Sequence, residues 1–272
     1  MTTLHVLGSG SQGNCFAVAS DGAAVLIDAG FSAREIERRA EAAGLALDWV
    51  AGIVVTHEHG DHASGAARLA RRLNAPVLTA AGTWSQLARR MPDVIHQTIG
   101  LCGDVVVGPF TVRACPTSHD AAEPLAVAVH VAGGASVGVA YDLGRPTVAV
   151  RYLLRDLTAL VIEANHDDVM LRTSGYPPVV QRRIAGSGGH LSNRAAGELL
   201  VELSHPGLAV VVLAHLSQRC NTAEEARAAV TPQLRNAGFR GEVHVARQDQ
   251  PLPPIPVVPR WSAQLGLALG NV

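Results

Sequence analysis

Short apolar runs alternate with amphipathic segments along most of the chain, and turns rich in Gly, Ser, Asn or Pro separate them. Runs of four to six Val, Ile, Leu and Ala residues are typical of buried strands. In the first half they predict strands at 4–7, 16–19, 25–28, 51–55 and 76–79. In the second half they predict strands at 105–107, 110–114, 126–131, 136–140, 159–163, 208–213 and 242–246.

Segments with apolar residues three and four positions apart predict helices between these strands. Ser32 and Glu35 form a capping-box pattern, which predicts a helix that begins after Ser32 and ends near Gly44. Further helices are predicted at 63–73, 83–90, 147–154, 178–184, 193–203 and 223–236. Two β-rich halves, each followed by helices, indicate an α+β fold: a four-layer αββα sandwich of two mixed β-sheets.

The polar motifs described below are spread over the whole length, which favours one domain over two independent ones. We expect this domain to cover residues 1–249. Residues 250–272 begin with a proline-rich stretch, and we expect them to form an extension that packs on the domain or trails from it.

Composition narrows the classes of function. The chain has 272 residues, a net charge of −1 and a pI near 6.9, which argues against a nucleic-acid coat protein, since such proteins are normally basic. It does not argue against an enzyme that acts on nucleic acid. All 22 basic residues are arginine, so any side-chain cation that binds phosphate or carboxylate is a guanidinium group.

The cysteines and the apolar runs predict a location. Four cysteines without a C-x-x-C pair do not resemble a disulfide framework and fit a reducing compartment. We see no signal peptide, and the apolar runs are too short to span a bilayer. A cytoplasmic protein without membrane association is therefore expected; the sequence does not fix its oligomeric state.

The segment from His57 to His62 carries the strongest chemical signal. Its sequence, His-Glu-His-Gly-Asp-His, places four potential metal ligands within six residues, directly after a predicted strand. His57 and His59 are two residues apart, so in an extended segment they project to the same side. Imidazole and carboxylate together suit zinc, manganese or iron and do not suit calcium. A polar surface loop is the alternative interpretation.

Three more potential ligands follow strand-like runs: His119, Asp142 and His215. A rigid sheet that presents ligands at its strand ends is the kind of support that a two-metal site needs. Taken singly, such a His is often a cap or surface residue, and an Asp before Leu-Gly is often a turn former. Taken with residues 57–62, these interpretations weaken, because the order of all these residues along the chain is a known signature.

The order His-x-His-x-Asp-His, His, Asp, His resembles the metallo-β-lactamase fold. Two further motifs strengthen the resemblance: Gly8-Ser-Gly-Ser-Gln-Gly-Asn14 and Leu26-Ile-Asp-Ala-Gly30. The resemblance implies that residues 1–249 form a metal-dependent hydrolase domain.

The same resemblance implies a distribution of ligands over two divalent ions. It implies a first metal held by His57, His59 and His119. It implies a second metal held by Asp61, His62 and His215. Asp142 would bridge the two ions, and Asp28 would orient ligands without binding metal.

Motifs further along the chain resemble the nucleic-acid-processing branch of this superfamily. Residues 214–219, Ala-His-Leu-Ser-Gln-Arg, are similar to the His-Phe-Ser-x-Arg motif of ribonuclease Z. Glu163-Ala-Asn-His-Asp167 and Gly189-His-Leu-Ser-Asn193 resemble the YycJ/WalJ/VicX group of bacterial exonucleases. The resemblance extends from about residue 5 to 222. It implies 5′-to-3′ exonuclease activity on DNA with two ions, zinc or manganese, whereas the residues alone indicate a phosphodiester hydrolase.

The hypothetical mechanism uses a hydroxide held between two metals about 3.5–4 Å apart. Asp61 is a candidate general base in addition to being a ligand, and His190 a candidate for phosphate contact or for protonation of the leaving group. Glu163 and His166 are candidates for orienting ligands, although each could equally be a polar turn residue. The candidate contacts to backbone phosphates are Arg182, Arg183 and Arg194.

Other functions stay open at this point. Scarce aromatic residues, 4% of the chain, predict contact with phosphates and one or two terminal nucleotides and little base stacking. DNA is the favoured substrate, and RNA is the close alternative because 2′-hydroxyl contacts leave no mark in the sequence. A small-molecule hydrolase of the same fold, acting on a lactone, thioester or cyclic nucleotide, is a second alternative. A non-catalytic metal-binding regulator is a third, less favoured because the ligand set is complete.

Overall fold

The strands of the protein form two seven-stranded sheets in a computed structural model that describes residues 1–100 and 103–259. The first sheet contains β1 (Thr2–Gly8), β2 (Cys15–Ser20), β3 (Ala23–Ile27), β4 (Val50–Val54), β5 (Val77–Thr79), β6 (His96–Thr98) and β14 (Ile255–Pro256). The second contains β7 (Asp104–Val107), β8 (Phe110–Pro116), β9 (Leu125–Val131), β10 (Ser136–Ala140), β11 (Ala159–Glu163), β12 (Val210–Ala214) and β13 (Glu242–Val245).

Each sheet is antiparallel on one side and parallel on the other. In the first sheet, β14, β1, β2 and β3 pair antiparallel, and β3 to β6 pair parallel. In the second sheet, β7 to β10 pair antiparallel, and β10 to β13 pair parallel. The prediction of two mixed sheets is confirmed. Because the parallel strands of a sheet end on one edge, the loops that follow them lie side by side.

The helices among the described residues connect these strands. They are α1 (Ala33–Ala42), α2 (Gly60–Ala63), α3 (Ala66–Leu73), α4 (Ala81–Leu87), α5 (Val148–Leu153), α6 (Asp168–Thr173), α7 (Pro178–Ile184), α8 (Asn193–Glu202) and α9 (Ala223–Asn236). The predicted cap of α1 is present, since the Ser32 side chain accepts a hydrogen bond from the backbone N–H of Glu35.

Three apolar clusters separate four layers. The inner cluster contains residues of both sheets, such as Val18 and Val54 of the first and Val129 and Val161 of the second. A second cluster joins the first sheet to α1 and α3, and a third joins the second sheet to α8 and α9. Burial of this aliphatic surface on both faces of both sheets drives the assembly, and the four-layer αββα prediction is confirmed.

The structure differs from the sequence pattern in a few elements. The helix predicted at 63–73 is divided into α2 and α3 at Gly65, where a Cβ atom would lie 2.2 Å from the carbonyl oxygen of Phe31. Strand β6 and helix α6 had not been predicted. Strand β6 has the sequence His-Gln-Thr, which contains no apolar run. Hydrophobic periodicity therefore could not predict that it pairs with β5.

The proline-rich segment lies along the edge of the first sheet. The backbone N–H groups of Leu252 and Val257 donate to the carbonyl oxygens of Val6 and Thr2, and Ile255 is buried. Residues 260–272 of the expected extension lie outside the described residues. Of the helices that the structure describes, none is long and apolar enough to cross a membrane.

Candidate metal centre

Strands of both sheets end at one edge of the sandwich and deliver polar side chains to it. Asp28 follows β3 and His57 follows β4, both in the first sheet. In the second sheet, the corresponding residues are His119 after β8, Asp142 after β10, Glu163 at the end of β11 and His215 after β12. The site is therefore shared between the two sheets, and it exists only when they are packed together.

One group of ligand atoms comes from three histidines predicted to share a metal. Nε2 of His57 lies 3.0 Å from Nδ1 of His59. The ligand atoms of His57, His59 and His119 all lie within 4.8 Å of one another. His57 is buried, and burial holds its pKa well below the usual range, so its ring is neutral and able to bind a metal.

A second group comes from Asp61, His62 and His215. One carboxylate oxygen of Asp61 lies 3.3 Å from Nε2 of His62 and 3.4 Å from Nε2 of His215. Burial opposes ionisation of Asp61, but hydrogen bonds with His215 and His62 hold its pKa below the usual range. Asp61 is thus a carboxylate with an imidazole nitrogen on either side.

Asp142 lies between the two groups. Its Oδ2 is 2.9 Å from Nε2 of His62 and 3.7 Å from Nε2 of His57, and its Oδ1 is 3.7 Å from Nε2 of His119. The residue is 2% exposed, and Oδ2 makes no hydrogen bond of normal geometry with any residue that the structure describes. A buried carboxylate oxygen without a hydrogen bond requires a partner. Histidines of both groups lie near this oxygen, and imidazole and carboxylate are ligands of divalent cations such as zinc. A divalent cation is therefore a suitable partner for Asp142.

Asp28 contacts His62 of the second group, and both of its oxygens accept hydrogen bonds. It is fully buried, and its oxygens accept hydrogen bonds from the backbone N–H and hydroxyl of Thr56, from Nδ1 of His62 and from the hydroxyl of Tyr141. With its oxygens occupied, Asp28 fixes the orientation of His62 and turns Nε2 toward Asp61 and Asp142.

Glu163 has the same arrangement in the second sheet. Its Oε1 accepts from Nδ1 of His190 at 2.8 Å and from Nδ1 of His215 at 3.1 Å. Its Oε2 accepts from the backbone N–H groups of Leu143 and Leu191. Glu163 is close enough to Asp142, His190 and His215 to share an ion with them. We nevertheless interpret it as an orienting residue, because both oxygens already accept two hydrogen bonds.

This carboxylate controls the charge of two histidines. Burial disfavours the charged ring of His190, but Glu163 and Asp142 outweigh it and raise its pKa to about 10. For His215, burial again disfavours the charged ring, but Asp142 and hydrogen bonds to Asp61 and Glu163 raise its pKa to about 9. Burial opposes ionisation of Glu163, and its histidine partners lower its pKa to about 2. In the metal-free site both rings are therefore charged at neutral pH, and His215 would lose its proton on binding a metal.

Ser9 and Asn14 connect the two halves of the site and were missed as functional candidates. The Ser9 hydroxyl accepts from the backbone N–H of His215 at 2.8 Å and donates to the Asn14 side chain at 2.7 Å. Asn14 Nδ2 lies 3.3 Å from the Asp61 carbonyl oxygen and 3.3 Å from Nε2 of His62. Their only signal in the sequence is the Gly/Ser-rich motif 8–14, which does not reveal these partners.

The three candidate phosphate-binding arginines lie on the helices beside the site. Arg182 is exposed on α7. Arg183 pairs with Asp120 at 2.7 Å, and Arg194, on α8, pairs with Glu198 at 2.6 Å. These two pairs are exposed, so exchanging the partner for a phosphate would cost little.

His166 and Gly189 lie near the site in different roles. The His166 ring is buried, yet among the described residues no hydrogen bond joins it to a proposed ligand. A Cβ atom at Gly189 would lie 2.2 Å from the carbonyl oxygens of Arg183 and Ile184, so this glycine permits the close packing that places His190.

Comparisons with known proteins agree with this geometry. Residues 8–150 match the family model described as the metallo-beta-lactamase superfamily. The chain is 35% identical to exodeoxyribonuclease YycJ of Bacillus anthracis over 237 residues, which cover 86% of this chain and 89% of the relative.

Solved structures show the same fold at low sequence identity. The metallo-beta-lactamase fold protein YhfI of Bacillus subtilis superposes with a TM-score of 0.70 at 17% identity, covering 92% of this chain and 98% of that one. Zinc-bound PqqB of Methylobacterium extorquens superposes with a TM-score of 0.67 at 16% identity, covering 92% and 99%.

Proposed function

This chain belongs to the metallo-β-lactamase superfamily and is a metal-dependent hydrolase. From that premise we propose that it is a phosphodiesterase with two metal ions. We propose further that it degrades DNA from an end, in the 5′-to-3′ direction. The observation that carries the two-metal part is the position of Asp142, a buried carboxylate between two groups of imidazole and carboxylate ligands. The similarity to an exodeoxyribonuclease supports DNA as the substrate.

The residues are assigned to two divalent ions, zinc or manganese. His57, His59 and His119 would hold the first. Asp61, His62 and His215 would hold the second. Asp142 would contact both. When bound, such ions supply Lewis acidity at a phosphoryl oxygen and a water that ionises near neutral pH.

The pair of His190 and Glu163 supplies a proton. Nδ1 of His190 donates to Glu163, and no described residue hydrogen-bonds its Nε2. The His190 side chain is 24% exposed, whereas that of Glu163 is fully buried. His190 therefore presents a protonated Nε2 at the surface of the site, where it donates a proton to the leaving oxygen of a cleaved diester.

Asp61 is the candidate general base of this proposal as well as a ligand of the second metal. Hydrogen bonds with His215 and His62 hold its pKa below the usual range, which keeps it ionised at neutral pH but makes it a weak base, so binding metal would be its main role. The acid and the base thus come from different sheets: Asp61 from the loop after β4, and His190 from the loop between α7 and α8.

Arg182, Arg183 and Arg194 bind phosphates of the chain that extends away from the metals. They are all exposed and lie on α7 and α8, the helices that flank His190. Arginines in such positions fix the register of a nucleic acid without reading its bases. We propose a cytoplasmic location for this activity, and the buried thiols of Cys15, Cys115 and Cys220 suit a reducing compartment.

The test uses single-stranded DNA and RNA that carry a label at the 5′ or the 3′ end, incubated with Mn²⁺ or Zn²⁺. Wild type is compared with His59→Ala and with a control, His244→Ala, whose ring lies on β13 and pairs with Glu242. A 5′-to-3′ exonuclease releases the 5′ label at once as a mononucleotide and shortens 3′-labelled DNA step by step.

We expect this pattern from wild type and His244→Ala, and none of it from His59→Ala. If wild type with two bound ions per chain cleaved neither polymer, the nuclease assignment would be wrong.

A further inference from the structure

A groove of about 290 Å³ lies beside the proposed metal centre. Its lining consists of Ser9, the turn at residues 216–218, the start of α9 at residues 221–224 and the segment 246–249. These parts follow β1, β12 and β13 or precede α9. The groove therefore opens on the same edge of the sandwich as the metal ligands.

The groove and the metal centre share a wall. Ser9 lines the groove, and its hydroxyl accepts from the backbone N–H of His215 at 2.8 Å. Leu216, another lining residue, directly follows His215. The lining of the groove is therefore in direct contact with a proposed ligand, His215.

Hydrogen bonds fix the walls of the groove relative to each other. The backbone N–H of Gln12 donates to Oε1 of Gln248 at 2.7 Å, and the Gln12 side chain donates to Oε1 of Gln218 at 3.0 Å. Ser9 N–H donates to the carbonyl oxygen of Arg247. A site whose walls are held in place loses little entropy on binding a ligand.

The chemistry of the lining selects against a phosphate and in favour of an uncharged polar group. The charged side chains of the lining are one cation, Arg247, and two carboxylates, Glu224 and Asp249. The remaining polar groups are amides and hydroxyls, which hydrogen-bond to base and sugar edges. A phosphate would bind more tightly at the proposed metals and the arginines than in this groove, where two carboxylates would repel it. The amides and hydroxyls of the groove suit an uncharged nucleoside.

We propose that this groove binds the terminal nucleoside of the nucleic-acid substrate, so that the adjoining phosphodiester lies at the metal centre. This inference rests on the proposed function. The volume is at the lower end of the range for small-molecule sites, about 300–1,000 Å³, which suits one nucleoside. Binding of an end in a site of this size explains cleavage from an end, one nucleotide at a time.

The test fills the groove with a bulky side chain. Glu224→Trp introduces an indole at a residue that lines the groove, and Glu225→Trp introduces the same group at the next residue of α9, outside the groove. Both residues are exposed, and both variants lose one acidic residue from the first turn of α9. Turnover of a DNA oligonucleotide is compared with that of bis(p-nitrophenyl) phosphate, which has no nucleoside.

We expect Glu224→Trp to lower the ratio of oligonucleotide to aryl-diester turnover by about tenfold, the effect of losing contacts to one base, and Glu225→Trp to leave it unchanged. Equilibrium dialysis of deoxyadenosine against metal-free protein gives a readout independent of catalysis. Binding should be saturable for wild type and Glu225→Trp and absent for Glu224→Trp.

Equal ratios and equal deoxyadenosine binding in the two variants would overturn the groove assignment while leaving the nuclease intact. A wild-type enzyme that cleaves bis(p-nitrophenyl) phosphate but neither DNA nor RNA would instead refute the proposed function, and the groove assignment with it. A loss of metal content in Glu224→Trp would point to misfolding, and Asp249→Trp, on the opposite wall, then decides by the same two readouts.

Discussion

At the scale of single residues, two buried carboxylates hold the imidazole rings of the candidate site in place. Asp28 and Glu163 are each fully buried, and each accepts hydrogen bonds at both oxygens. An unpaired buried carboxylate would be costly, so these hydrogen bonds are also what allows the charges to remain inside. In exchange, the carboxylates fix the rings of His62, His190 and His215.

Asp28→Asn tests this orienting role. The amide keeps the size of the side chain and tolerates the positive φ of 61° at this position, but it weakens the hydrogen bond to His62. We expect metal affinity to fall about 10- to 100-fold, the usual effect of losing an outer partner of a ligand. Competition with a chelator measures it, and Asp21→Asn, exposed and also at positive φ, serves as the control. Equal affinity in all three proteins would refute the role.

Ser9→Ala tests the connection between the two halves. The substitution leaves the backbone N–H of His215 and the Asn14 side chain each without one partner in a buried place. We expect the free energy of unfolding of the metal-free protein to fall by about 1–3 kcal/mol, as measured by urea denaturation. Ser11→Ala, at an exposed residue of the same loop, should be neutral; a similar loss in both variants would contradict the assigned role of Ser9.

Prediction from sequence succeeded at this scale where the signal is local. The residues at 57–62 are contiguous, so their spacing alone indicated that their side chains lie together. Ser9, Asn14 and Tyr141 gave no such signal, because their partners come from loops that only the fold brings near. Tyr141 directly follows β10 of the second sheet, and its hydroxyl donates to Asp28, which directly follows β3 of the first.

At the scale of elements, strand ends and close backbone contacts place the ligands. Gly30 is one such contact, since a Cβ atom there would lie 1.7 Å from the carbonyl oxygen of Asp61. The hydrophobic pattern predicted most strands and helices, because burial of aliphatic residues has a period that the sequence displays. It did not predict the division between α2 and α3. That division depends on a single backbone contact at Gly65, and a single contact does not change the hydrophobic periodicity of the sequence.

Ion pairs of Glu35 with Arg38 and Arg39 on α1 predict how the stability of the protein depends on pH. Hydrogen bonds from Arg38, aided by the buried Arg39, hold the pKa of Glu35 at about 2, against an ordinary value of 4.5. Because the folded-state pKa is depressed, the stabilisation is complete above pH 4.5 and is lost as the pH falls toward 2. We assign it about 1–2 kcal/mol after allowance for solvent screening.

Glu35→Gln should therefore be less stable than wild type at neutral pH, and the difference should narrow below about pH 4.5. Urea denaturation of the metal-free proteins at a series of pH values measures this. Glu41→Gln, at an exposed acidic residue on the same helix, is a control for loss of charge. A difference between Glu35→Gln and wild type that stays constant down to pH 3.5 would contradict the assignment.

At the scale of the whole molecule, the proposed metal centre depends on the packing of the two sheets against each other. The first sheet supplies His57, His59, Asp61 and His62, and the second supplies His119, Asp142 and His215. The parallel halves of the two sheets direct their loops to a common edge, and the inner apolar cluster holds them together. This sharing explains why ligands so distant in sequence could be grouped by resemblance to a family, and not by spacing alone.

The most direct test of the account is the position of the bound ions in a crystal of the zinc- or manganese-loaded protein, located by anomalous scattering at the edge of that metal. The account predicts two peaks, one among His57, His59 and His119 and the other among Asp61, His62 and His215, with Asp142 between them. A single ion, or an ion bound between Glu163 and His190, would contradict the dinuclear centre.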